Sequence, residues 1–187
     1  MGNRGRALHN DSREIVRPFE GQRWIICLLD FKGRRRQVMS PGLYTELFFL
    51  DEAVALAAGH RPCAECRRER FKAFVDTWKE SIGLDRARSL LAPEIDRELH
   101  DARIGSRREK ITYQAPLEAL PDGSFVQIGD GSHLVWERAL LLWSADGYVR
   151  KEPQQAGLTV TVLTPEPTVR CLRRGYRPEI HKSALAL

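Results

Sequence analysis

The sequence predicts an α+β fold: an N-terminal half mixing short strands with helices, then a small β-rich half ending in a helix. Three observations carry this. Phe71, Phe74, Val75, Trp78 and Ile82 recur at helical spacing. Beyond residue 110 short apolar runs alternate with the turn signals Pro121-Asp122-Gly123, Gly129-Asp130-Gly131 and Asp146-Gly147. Between two helical runs, Gly59-His60-Arg61-Pro62-Cys63-Ala64-Glu65-Cys66 sets two thiols on one tight turn.

Taken in order, Trp24 to Leu29 reads as a buried strand, Lys32-Gly33 as a turn, and Arg34 to Met39 as a second, partly exposed strand. Glu46 to Leu50 reads as a short strand running into Asp51, a good N-cap for a helix that Gly59 closes. The next helix is expected from about Cys63 to Ser81, with Pro62 at its first position and Gly83 past its end. Pro93 opens another helix, carrying Glu94 to His100. The polar, basic stretch Ser106 to Lys110 reads as a linker, so the expected modules are 1–105 and 106–187. In the second, Phe125–Ile128, Leu134–Trp136, Leu140–Trp143 and Leu158–Leu163 are strands. Thr164-Pro165-Glu166 starts a last helix that Gly175 closes.

With 42% hydrophobic residues in 187, the chain can build a real core. No apolar stretch is long enough to span a bilayer, and the basic start Met1 to Arg6 lacks the apolar segment of a secretion signal. A cytoplasmic protein is the expectation. Four cysteines are too few and too unevenly placed for a secreted disulfide framework, so a close pair points to metal or redox chemistry. The net charge is +5, and 24 of the 30 basic residues are arginine, in groups such as Arg34-Arg35-Arg36 and Arg67-Arg68. Guanidinium forks match phosphate oxygens, so these five are the candidate contacts to a DNA or RNA partner; a set of merely solvated cations is the plainer alternative.

Cys63 and Cys66 supply two of the four ligands a tetrahedral Zn2+ requires, at the usual separation. The preferred completion is Cys27, from the first strand, with His9, from the polar lead-in. His60 would crowd a third ligand onto the same turn. Cys27 could otherwise be a small core residue, His9 a solvated one, and the Cys63/Cys66 pair a redox dithiol. Cys171, inside the last helix, reads as packing.

The run Phe48-Phe49-Leu50-Asp51-Glu52-Ala53-Val54-Ala55-Leu56-Ala57-Ala58 followed by GHRPCAEC resembles the second half of the Ada metal-binding domain. That family has an apolar strand, an acidic-alanine helix and Gly-aromatic-Arg-Pro-Cys-x-x-Cys. The match spans about a tenth of the chain. It implies a cysteine-rich zinc site in a small α+β module and, through the family's DNA-repair members, a zinc-bound cysteine that accepts a methyl group from a phosphotriester. The family's first ligand pair has no clean counterpart here; His9-Asn10-Asp11-Ser12 is only faintly similar to it. The whole chain also resembles a bacterial protein family sharing Phe31-Lys32-Gly33-Arg34-Arg35-Arg36 and Tyr44-Thr45-Glu46-Leu47, which implies no function.

The expected function is therefore a zinc-stabilised nucleic-acid-binding protein linked to DNA repair or regulation. The alternatives are an enzyme acting on nucleic acid, as a thiol methyl acceptor or a zinc-assisted hydrolase, and a CxxC redox protein. No Gly-rich phosphate loop, nucleophile elbow or HExxH motif is present. His100 reads either as an acid/base group or as a solvated helix-end residue. Trp136, Trp143 and Tyr148 read either as a stacking platform for bases or as core.

Overall fold

A computed structural model describes residues 1–34, 37–85 and 87–187. Its class is the α+β one expected. The N-terminal part holds three two-residue strands, β1 (Gly2–Asn3), β2 (Ile25–Ile26) and β3 (Arg61–Pro62), with helices α1 (Glu52–Ala57), α2 (Arg68–Ser81) and α3 (Ala92–Arg103). The C-terminal part is an antiparallel sheet of β4 (Tyr113–Pro116), β5 (Phe125–Ile128), β6 (Gly131–Trp136), β7 (Ala139–Ser144), β8 (Gly147–Pro153) and β9 (Thr159–Val162). Helix α4 (Glu166–Arg173) follows. The strand order is β4-β9-β5-β6-β7-β8. Among the described residues no helix is long and apolar enough to cross a membrane.

Side chains on β5, β6 and β7 alternate between two buried layers, as the two-residue period of a strand requires. Phe125, Leu134 and Leu141 face Ala53 and Ala57 of α1, while Val126, Val135 and Leu140 face Leu117, Val160 and Val169. A third cluster joins Phe74 and Trp78 of α2, Ile95 and Leu99 of α3, and Cys171 and Leu172 of α4. Helix α4 thus packs on α2 and α3, and the two halves meet in shared apolar clusters. The expected linker is a tight turn in which Gly105 N–H donates to the Glu109 carbonyl and Lys110 Nζ to that of Ala57.

Two neighbouring carboxylates lock α1 to the rest. Asp51 Oδ1 caps the helix by accepting from Val54 N at 2.9 Å, and its Oδ2 accepts from Tyr148 Oη and His181 N. Glu52 accepts from Arg70, Tyr176 Oη and Glu179 N. Gly59 ends the helix at φ +82°, where a Cβ would also lie 2.6 Å from Arg103 Cδ.

Several expected elements are corrected. The strand over Trp24–Leu29 shrinks to Ile25–Ile26, because β1 and β3 pair with only those two residues. Arg35 and Arg36 of the second expected strand lie outside the described residues, and Val38 and Met39 form a turn, Met39 at φ +54°. The strand over Glu46–Leu50 is a single bridge between Leu47 and Gly2. Helix α2 begins at Arg68 rather than Cys63, and Pro62 ends β3 instead of opening the helix. Residues 64–67 form a turn instead, in which Glu65 N–H points at Cys63 Sγ.

Candidate metal centre

Strand register brings the cysteines together. β2 and β3 run parallel with Ile25 opposite Arg61 and Ile26 opposite Pro62, so Cys27 and Cys63 are the next residues on adjacent strands. Cys63 N–H donates to the Ile26 carbonyl at 3.0 Å, which continues the pairing. The turn over residues 64–67 then brings Cys66 back beside them, held where Arg67 N–H meets the Cys63 carbonyl. The Sγ atoms of Cys27, Cys63 and Cys66 all lie within 4.8 Å of one another. Sulfurs at two corners of a ZnS4 tetrahedron are about 3.8 Å apart, from a Zn–S bond of about 2.3 Å. The group is close enough to hold a metal ion.

The surroundings favour one anionic sulfur, that of Cys63. Leu28 N–H points at Cys66 Sγ and Glu65 N–H at Cys63 Sγ, each at 3.4 Å. A hydrogen bond from the Cys27 thiol holds Cys63 down at about 5, against the burial that opposes ionisation and with help from the Cys66 and Glu65 amides. The same bond, with burial, pushes Cys27 far up; burial, then the charge on Cys63, raises Cys66. One thiolate thus sits among two thiols whose protons a bound cation would displace. Behind the sulfurs, Arg61 of β3 forms a buried two-pronged pair with Asp96 of α3, Nε–Oδ1 2.8 Å and Nη2–Oδ2 2.7 Å, anchoring the strand that leads into Cys63.

All three cysteines open onto a cavity of about 800 Å³, whose walls include Phe31, Tyr44, Phe48, Arg34 and Glu46. Nothing in the sequence spacing marked those walls, which come from loops on either side of β2.

The other expected site residues lie elsewhere. His9 stands outside the three-sulfur group: it is buried, with Nδ1 2.6 Å from Thr45 Oγ1. His60 is fully buried against Trp24 and Phe49. Among the described residues the group contains no fourth His, Cys, Asp or Glu. Cys171 is buried among α2, α3 and α4, as its packing role requires. Arg34 pairs with Glu65 at 2.9 Å and Arg67 with Glu179 at 2.7 Å; Arg68 is exposed, and Arg35 and Arg36 lie outside the described residues. Tyr148 is core, and Trp136 and Trp143 pack against the same cluster.

Fold and site together define an α+β protein with a three-cysteine group able to hold a metal ion. Comparison with family models, curated proteins and solved structures finds no match to the chain.

Proposed function

We propose that this protein binds one Zn2+ through Cys27, Cys63 and Cys66, with the fourth coordination position facing the aromatic-walled cavity. The observation that supports it is the convergence of three sulfurs from two chain segments, backed by amide donors suited to thiolate. Soft thiolate sets favour zinc, copper(I) or iron–sulfur clusters. Among these, zinc suits sites in which three protein ligands leave a place for water or substrate. When bound, zinc would supply Lewis-acid polarisation or an activated thiolate there. The cavity makes that position reachable from solvent, which separates this reading from a closed structural site.

The test is the metal content of protein purified under reducing conditions. One zinc per chain is expected, lost in Cys27→Ser and in Cys63→Ser and kept in His9→Ala. Full zinc in Cys27→Ser would overturn the three-cysteine assignment, and a metal-free protein would favour the dithiol alternative.

As partner class we propose nucleic acid, supported by the net charge of +5 and the exposed Arg68 beside the cysteine turn. The ion pairs of Arg34 and Arg67 leave a smaller free patch than the sequence suggests. Phosphate contacts require affinity to fall steeply with salt, and Arg68→Glu to weaken binding. Salt-independent binding would remove nucleic acid from the account.

A further inference from the structure

A second cavity, of about 290 Å³, lies where α1, the end of α3 and the large sheet meet, and it shares no residue with the cysteine cavity. Arg4, Arg103 and Lys110 line it, and no carboxylate does. Elsewhere two enclosed cations meet acids: Arg61 meets Asp96 and Arg70 meets Glu52. Here the partners are neutral. Arg103 donates to the carbonyls of Gly59 and Gln22, and Lys110 Nζ to that of Ala57. Both guanidiniums lie over the Trp24 ring, at 4.2 Å for Arg4 and 3.9 Å for Arg103.

Donors are left over as well. Arg4 Nε, Arg103 Nε and Trp143 Nε1 are buried without hydrogen-bond partners, and all three residues line this cavity. Buried charge without a counter-charge is costly, as is an unpaired donor. The strain registers in the side chains themselves. Burial, then the charges of Arg4 and Arg103, pulls Lys110 down to about 8. Burial pulls Arg103 to about 9, and the neighbouring Asp96 only partly offsets this. Apart from Ser132, the remaining walls are apolar or aromatic and include Trp24, Phe125 and Trp143.

We propose that this cavity binds a small organic anion, a carboxylate or phosphate head carried on a flat apolar body. The head would take its charge partners from Arg4, Arg103 and Lys110, and the body would lie among Trp24, Trp143 and Phe125. The volume is at the small end for ligand sites, which suits a single ring rather than a nucleotide chain.

The test titrates the full-length protein with benzoate and with phenyl phosphate, read by the fluorescence of the tryptophans that line the cavity. Benzylamine and inorganic phosphate serve as controls. One of the two aromatic anions is expected to bind below about 1 mM, and both controls more weakly. Lys110→Gln, which removes the charge but keeps a polar side chain, should weaken that binding by about tenfold through loss of one charge-assisted contact. Arg4→Gln provides a second, independent variant should the first unfold. No binding of either anion by about 10 mM overturns the proposal, as does affinity unchanged in both variants or benzylamine binding equally well. Inorganic phosphate binding as tightly as phenyl phosphate overturns the apolar body.

Discussion

At 2% exposure the Glu52 carboxylate has left water, and the molecule replaces that water with Arg70, the Tyr176 hydroxyl and the Glu179 amide. Glu52→Ala would strand the Tyr176 hydroxyl and the Glu179 amide, take the counter-charge from Arg70, and should cost about 3 kcal/mol in urea unfolding; Glu52→Gln, which keeps an acceptor, should cost less. A loss under about 1 kcal/mol would mean water replaces the carboxylate easily. The sequence reads Glu52 only as part of an acidic-alanine helix, because its partners lie 18 to 127 residues away. His60 is the second case. Burial, then the charges of Arg4 and Arg103, holds its imidazole well below the ordinary 6.5, so the folded chain keeps it neutral. Below about pH 6.5 the unfolded chain takes up a proton that the folded chain refuses. Stability from this group is therefore intact above that pH and falls as pH drops, by at most about 1.4 kcal/mol per unit. His60→Leu should flatten that part of the stability–pH curve, and an unchanged slope would show that another group carries it.

Elements were legible where local chemistry decides them. Asp51 and Gly59 bracket α1 as capping and positive-φ residues should, Pro93 lies in the first turn of α3, and turn residues separate the sheet strands. One turn was missed. Glu137 and Arg138 join β6 to β7 with φ of +48° and +61°, a conformation in which neither residue type is favoured. Replacing the pair by Asn-Gly should raise thermal stability by about 0.5–1 kcal/mol, seen as a higher melting temperature; a lower one would mean the two side chains make contacts worth more than the strain. The N-terminal strands were over-read, because two-residue pairings held by β1 and β3 look in sequence like longer apolar strands. The delayed start of α2 had no sequence signal either, since Pro62 suits a strand end as well as a first helical turn.

For the molecule as a whole, the cysteine site was partly legible. Cys63 and Cys66 announce themselves by spacing, whereas Cys27, the preferred third ligand, sits in an apolar run that suits a core residue equally; their meeting depends on a parallel register that composition does not reveal. His9 and the arginine groups were chosen by residue type, which says nothing of whether Thr45, Glu65 or Glu179 already holds them. The convergence of Arg4, Arg103 and Lys110 was invisible for the same reason, with about a hundred residues separating the first from the others. Shared clusters between the two halves predict one cooperative transition rather than two. Tryptophan fluorescence and far-UV circular dichroism should then report coincident unfolding curves, and separated midpoints would restore two independent modules. The central claim concerns the metal, and X-ray absorption at the zinc edge of the zinc-loaded protein tests it most directly. Three sulfur neighbours at about 2.3 Å and one lighter atom at about 2.0 Å are the predicted shell. Two sulfurs or fewer would leave at least one of the three cysteines out of the coordination sphere and contradict the account.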